Sequence, residues 1–224
     1  PIEITGDGLK PVQSGLADKA PPKLQIRRGA VVRIAQTPRK TWEITQLPEV
    51  ESALVALDPR NGAIKALVGG FDFQKNKFNH VTQAWRQPGS SFKPFIYSAA
   101  LEKGLTPMTV VNDAPLFYSA GETGGKPWEP KNYDGQFEGP MSVRRALAKS
   151  KNMVSIRVLQ LVGTQSAQEW VSRFGFDADK HPPYLTMALG AGSVTPMQMA
   201  TGYSVFANGG YRISPTLITR VSDH

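Results

Sequence analysis

The chain has 224 residues, 40% of them hydrophobic and 20% charged, a balance that supplies a core and excludes disorder as the default state. A net charge of +8 would suit nucleic acid, an anionic membrane face or an anionic polymer, but Arg27-Arg28 and Arg144-Arg145 are isolated pairs and no dense basic run occurs. The absence of cysteine excludes disulfides and thiol chemistry.

In chain order, residues 1–47 are rich in Pro, Gly and short β-type runs. Arg28-Gly29 reads as a turn into a strand over Ala30 to Ile34. This segment is expected to be part of a small β accessory region, with a boundary at Pro48 and a second region over 48–224. No apolar stretch approaches the length of a membrane span, and the first residue is Pro1. The expectation is therefore a piece of a longer protein, with any anchor or signal upstream.

Ala53 to Leu57 and Ala63 to Val68 form a hairpin pattern around Asp58-Pro59-Arg60-Asn61-Gly62, whose Pro and Asn-Gly supply turn geometry. The period then changes. Ser90 to Lys103 reads as a helix with Phe92, Phe95, Ile96 and Ala99 on one side and Gly104 as its stop. Residues 104–140 read as loop-rich. Helices are expected over Val143 to Lys149, Met153 to Val162 and Ala167 to Arg173. The last helix has the clearest start, with Thr195 as N-cap, Pro196 at its first position and Gln198 placed for a capping box. A strand is expected over Tyr211 to Val221. Strands first, helices next and a late strand make an α+β layer pattern.

Two short motifs carry candidate chemistry. In Ser90-Ser91-Phe92-Lys93 the serine and lysine lie one helical turn apart on one face. A buried lysine there takes the serine proton, and the Ser90 amide at the helix start is a donor for an oxyanion. About one such spacing arises by chance in a chain of this length. Context strengthens it: the serine follows Pro88-Gly89 at a loop-to-helix junction, and only Lys93 among the lysines has a serine three residues before it. The second motif is Ser150-Lys151-Asn152, between two helices, where a hydroxyl passes a proton to a leaving amine and an amide holds a substrate carbonyl.

Ser-x-x-Lys followed by Ser-x-Asn is a signature of penicillin-binding proteins and serine β-lactamases. Residues 49–223 resemble the transpeptidase domain of class A penicillin-binding proteins, in particular the 1A type. The segments that carry the resemblance are Ala63 to Phe73, Arg86 to Pro94, Trp128 to Asp134, Ala146 to Asn152, Thr195 to Gln198 and Asn208 to Gly210. Residues before 48 resemble part of the OB-like accessory region of those enzymes. The resemblance implies a β-lactamase/transpeptidase-like fold: an antiparallel sheet with helices on both faces. It also implies Ser90 as a nucleophile acylated by a D-Ala-D-Ala stem peptide, Lys93 as its base, Ser150 as a proton relay and Asn152 as a substrate-positioning group. A stem-peptide amine then resolves the acyl-enzyme into a peptidoglycan cross-link, and β-lactams remain attached to Ser90. Trp128 and Tyr133 are expected to line the cleft.

The implied setting is the periplasmic side of the inner membrane, held only through an upstream anchor, with a glycosyltransferase domain upstream as well. The family's third motif, Lys-Thr/Ser-Gly, occurs nowhere in residues 1–224. The expected partner is a C-terminal remainder of the same protein that carries it, without which activity is in doubt. No cofactor is expected, and no His/Asp/Glu cluster has metal spacing.

Rival readings separate on particular residues. A class A β-lactamase needs a glutamate about 35 residues past the second motif, where Leu185 and Thr186 stand. A β-lactam sensor is disfavoured by the accessory region, and a carboxypeptidase differs only in using water as acceptor. A nucleic-acid binder needs aromatics among its basic residues, and residues 1–47 hold only Trp42. A catalytically dead scaffold would take up no penicillin.

Overall fold

A computed structural model describes residues 1–46, 48–218 and 220–222. The chain divides into two compact units, Pro1–Glu51 and Ser52–His224. In the first, a 3-10 helix, Gly6–Val12, runs into the one-turn helix α1, Gln13–Leu16. Strands β1 (Arg33–Gln36) and β2 (Trp42–Thr45) pair antiparallel. The β1 strand starts three residues later than the sequence pattern suggests. It is fixed by pairing with β2, and Val31 stays fully exposed ahead of it.

In the second unit the expected hairpin forms: β3 (Leu54–Leu57) pairs antiparallel with β4 (Ile64–Val68). Arg60 ties its turn by donating two side-chain hydrogen bonds to Asp58. A one-turn helix, α2 (His80–Gln83), follows, capped by the Asn79 side chain.

The expected helix from Ser90 divides in two. Gly89–Phe92 is a 3-10 turn, and α3 (Lys93–Glu102) continues from it. Pro94 causes the change. It has no N–H to offer the Ser90 carbonyl four residues back, so the Lys93 N–H takes that carbonyl in the tighter pattern. Gly104, at φ 94°, ends the helix; its N–H bonds to Leu101 O and the Leu105 N–H to Ala100 O, a Schellman motif.

The segment 104–140 is more ordered than its loop-like composition suggests. It holds β5 (Val110–Asp113), the one-turn α4 (Ala120–Thr123) and the start of β6 (Gly139–Ser142), which pairs antiparallel with β5. Gly139 and Pro140 hide β6 from a propensity reading; Pro140 lies opposite Asn112. Then come α5 (Val143–Ala148), α6 (Asn152–Val162), α7 (Thr164–Ser172) and α8 (Pro196–Ala207). The Thr195–Gln198 capping box is present in both directions.

Helix α3 packs on α6 and α7, α6 on β5, and α8 on β3. Phe92, Phe95, Ile96, Met153, Ile156 and Leu159 are fully buried at the centre of this core. Burying such side chains contributes about 1.5–3 kcal/mol each. In place of the expected strand over Tyr211 to Val221, the described residues show a short parallel contact. Ile64 N–H bonds to Thr216 O, and Thr216 N–H to Gly62 O. Pro215 has no N–H to extend the ladder, and position 219 of that segment lies outside the described residues. Among the described residues no helix is long and apolar enough to cross a membrane.

Candidate active site

The turn that presents Ser90 is held from behind by the chain at 190–194. Arg86 and Val194 exchange backbone hydrogen bonds of 2.9 and 3.0 Å, and Gln87 Nε2 donates to Ala191 O at 3.1 Å. Gly89 and Gly190 both have positive φ, and a side chain at 190 would strike the Gly89 carbonyl. Ser91 Oγ donates to Pro88 O at 2.6 Å, and Tyr203 OH to Ser91 O at 2.7 Å. Below the turn, Phe92 stacks on His181 with ring centroids 4.6 Å apart. Ser90 itself is exposed. Within a 3-10 turn, side chains at i and i+3 eclipse, which sets Ser90 in line with Lys93 more closely than an α-helix would.

Lys93 is 1% exposed. Its Nζ donates to Ser150 O at 2.7 Å, to Ser150 Oγ at 3.0 Å and to Asn152 Oδ1 at 2.7 Å, which uses all three of its hydrogens. All three acceptors are uncharged, so burial is uncompensated and lowers its pKa to about 8. Roughly a tenth of the amine is then neutral at pH 7. The two sequence motifs, 60 residues apart, therefore meet at this ammonium.

Ser150 owes its position to the end of α5. Its N–H bonds to Leu147 O and that of Lys151 to Ala146 O, the same Schellman pattern that Gly104 forms after α3. Ser150 thus occupies the left-handed position, φ 55°, where glycine is usual. For a residue with a Cβ that conformation costs about 1–2 kcal/mol. The hydroxyl is held where a glycine would be more comfortable.

One loop, residues 131–138, secures the turn. Helix α6 has no side-chain cap of its own; Asn132 Oδ1 instead accepts from the N–H groups of Asn152 at 2.8 Å and Met153 at 3.3 Å. Asn152 Nδ2 donates to Lys131 O at 2.8 Å. Asn132 is in turn fixed by Nδ2 donation to Asp113 Oδ1 and Gln136 O, both at 2.7 Å. Lys151, 2% exposed, lies 2.9 Å from Asp134, 3.1 Å from Glu138 and 3.5 Å from Asp113. The Asp134 hydrogen bond, aided by Glu138 and Asp113, outweighs burial and holds the Lys151 pKa above the ordinary lysine value. Glu138 also pairs with Lys149 at 2.8 Å and Arg145 at 2.9 Å. Hydrogen bonds from Lys149, then Lys151, then Arg145 lower its pKa to about 2.

A cavity of about 350 Å³ is lined by Ser90, Ser150, Asn152, Asn132, Tyr133, Asp134, Lys149 and Lys151. Tyr133 stands fully exposed at it. Trp128 is not among the lining residues. It stacks on Tyr118 at 5.3 Å and packs against the core, so its expected cleft role has no counterpart in this geometry. Asn132, Lys151, Asp113, Asp134 and Glu138 were not singled out as site residues from sequence. Lys151 is the middle residue of the Ser-x-Asn motif, and Asn132 and Asp134 stand in the Trp128 to Asp134 segment; that adjacency was the available signal. No cluster of His, Asp and Glu suited to a metal occurs among the described residues.

The penicillin binding protein transpeptidase domain family matches residues 52–224, and the penicillin-binding protein OB-like domain family matches residues 1–50. Penicillin-binding protein 1A of Neisseria flavescens is 51% identical over 199 residues, 89% of this chain and 25% of that protein. Its namesake in Vibrio cholerae is 53% identical over 182 residues, 81% of this chain and 22% of that protein. The chain thus spans about a quarter of the length of these relatives. The crystal structure of penicillin-binding protein 1A from Haemophilus influenzae superposes with a TM-score of 0.80 at 45% identity, covering 86% of this chain and 28% of that one. PonA1 of Mycobacterium tuberculosis, solved in complex with penicillin V, gives 0.63 at 27% identity, over 75% of this chain and 47% of that one.

Proposed function

The chain belongs to the penicillin-binding protein transpeptidase family, with an OB-like region before that domain, and from that premise we propose that it carries the acyl-serine centre of a peptidoglycan D,D-transpeptidase. Ser90 Oγ attacks the carbonyl of the penultimate D-Ala of a stem peptide, and its proton passes to the neutral Lys93 amine. The C–N bond to the terminal D-Ala breaks, and the leaving nitrogen takes a proton relayed from Lys93 through Ser150 Oγ. An amine of a second stem peptide attacks the Ser90 ester, the acyl C–Oγ bond breaks, and the amine's proton passes through Ser150 and Lys93 to Ser90 Oγ as the cross-linking amide forms. Asn152 positions the substrate amide, and Tyr133 forms a lip of the cleft. A Lys-Thr/Ser-Gly strand outside these 224 residues supplies the substrate-carboxylate contact.

The observation that carries this reading is the Lys93 ammonium. It is buried, has no carboxylate in contact among the described residues, and is bonded to the Ser150 hydroxyl and the Asn152 amide beside a cavity that Ser90 lines. A lysine with its pKa near 8 is suited to work as a base at neutral pH. The site also argues against rapid hydrolysis of the ester. Among the described lining residues the only carboxylate is Asp134, and its pKa is lowered by the Lys151 hydrogen bond, which makes it a poor base for water. β-Lactams, which mimic the D-Ala-D-Ala end, are proposed to acylate Ser90 and stay there. The whole protein is proposed to work on the periplasmic face of the inner membrane, with a glycosyltransferase domain elsewhere in it.

Intact mass spectrometry of the whole protein with benzylpenicillin tests this. One adduct of penicillin mass on wild type, absent in Ser90→Ala, is expected. A wild type that stays unmodified, or a Ser90→Ala variant that still gains the mass, would overturn the assignment.

A further inference from the structure

Lys151 has no part in the proton transfers above, yet its buried ammonium pairs with three carboxylates. Its backbone joins the two residues that bond Lys93, while its side chain reaches these three, one of which, Asp134, also lines the cavity. Those carboxylates come from separate parts of the chain: Asp113 ends β5, and Asp134 and Glu138 lie in the loop that also caps α6. Around Glu138 gather Arg145 and Lys149 of the same α5 terminus. Three cations and three anions therefore close a neutral network beneath the Ser150 turn.

We infer that Lys151 is a positioning residue, whose clamp on Asp113, Asp134 and Glu138 keeps Ser150 and Asn152 turned toward Lys93. Ser150 sits in a left-handed conformation that a serine leaves readily unless its neighbours prevent it. Lys151 is the adjacent residue, and its buried ammonium fixes the direction of the chain on that side. The side chains of Ser150 and Asn152 are tied on the other side by the Lys93 bonds and by the bond from Asn152 to Lys131 O, and the Asn152 N–H by Asn132 Oδ1. If the clamp loosens, the turn relaxes, water reaches Lys93, and the lysine moves back toward its ordinary, fully protonated state. Among the described residues the Lys93 ammonium hydrogen-bonds to uncharged groups alone, those of Ser150 and Asn152. Charge reaches this region from Lys149 and Lys151 on the turn and from Asp113, Asp134 and Glu138 across it.

The consequence for acylation rests on the acyl-serine reading; the test does not. Removing a carboxylate has opposite effects in the two explanations. As a change in electric field alone, loss of a negative charge lowers the Lys93 pKa; as a loosened clamp, it raises it. The decisive variants are Asp134→Asn and Glu138→Gln. The readout is the titration of Lys93 by carbon-13 NMR of lysine-labelled whole protein, with the Lys93 signal identified by its loss in Lys93→Arg. Both variants are expected to raise the Lys93 midpoint by about half a pH unit or more, a threefold loss of neutral amine at fixed pH. Lys151→Met, where it folds, is expected to raise it further. A midpoint that is unchanged or lowered in both carboxylate variants overturns the inference, even if their melting temperatures fall, because a merely structural network would lower stability and leave Lys93 where it was. Ser90 acylation is read separately by mass, so a missing adduct counts against the acyl-serine reading alone while the Lys93 titration still decides the clamp.

Discussion

The two serines of the site stand on turns built by different physics. The Ser90 turn is held by backbone hydrogen bonds to residues 190–194, by two glycines in contact and by aromatic stacking under Phe92. The Ser150 turn is held by ions: Lys151, Lys149 and Arg145 against Asp113, Asp134 and Glu138. A turn made of close contacts fails when an atom is added, whereas a turn made of charges fails when a proton is added. The same contrast appears between the two helix ends that share one motif. Gly104 after α3 takes the left-handed position at no steric cost, while Ser150 after α5 takes it with a Cβ and a strained backbone.

The largest expected effect breaks the second turn at its strained residue. Ser150→Gly removes the relay hydroxyl and relieves the left-handed strain together. Penicillin acylation is expected to fall by about 10²–10⁴, the usual contribution of a positioned acid or base. Stability is expected to change by no more than about 1–2 kcal/mol, because the relief of strain offsets the lost bond to Lys93. Stopped-flow acylation and urea denaturation on the same preparation check both halves. Next in size is Gly190→Ala, which adds one methyl group against the Gly89 carbonyl. Displacing the nucleophile turn by about 1 Å is expected to slow acylation about 10²-fold. The slowing should be pH-independent, since no charge is altered. An alanine variant with wild-type acylation would show that the 190–194 contact does not position Ser90.

How much of this was legible follows the same division. Ser90 and Lys93 are three residues apart, so their alignment is local and a sequence displays it. Pro94 is equally visible, but that it converts the turn to 3-10 depends on which carbonyl it leaves to Lys93. The Thr195–Gln198 cap and the hairpin around Asn61-Gly62 were legible because turn and cap chemistry is short-ranged. The clamp was not. Asp113, Asp134 and Glu138 lie 13 to 38 residues before Lys151, and nothing local marks a lysine inside Ser-x-Asn as buried. Strand β6 was hidden by Gly139 and Pro140, and Trp128, expected at the cleft, stacks on Tyr118 against the core, since an aromatic near a motif is equally suited to cover a core edge.

The smaller predictions concern protons, and they assign each turn its own pH window. Asp134 and Glu138 have pKa values lowered in the folded protein, Glu138 to about 2. Their contribution is therefore complete above the ordinary carboxylate range near pH 4 and is lost as pH falls through the lowered folded values, about 2 for Glu138. Glu138→Gln is expected to flatten the melting temperature against pH in that acid window and to leave its shape above pH 5 unchanged. His181, beneath the Ser90 turn, acts earlier. It is 1% exposed, neither ring nitrogen has a hydrogen-bond partner among the described residues, and burial lowers its pKa despite Asp177 and Asp179. The folded state thus favours the neutral ring. Its stabilisation is complete above the ordinary histidine value near 6.5 and is lost as pH falls through the lowered folded value. His181→Phe keeps the stack on Phe92 and removes the titration, so its melting temperature is expected to hold steady between pH 6.5 and 5, where wild type declines. A wild-type decline that persists in His181→Phe would place that acid sensitivity elsewhere and leave the Ser90 turn dependent on contacts alone.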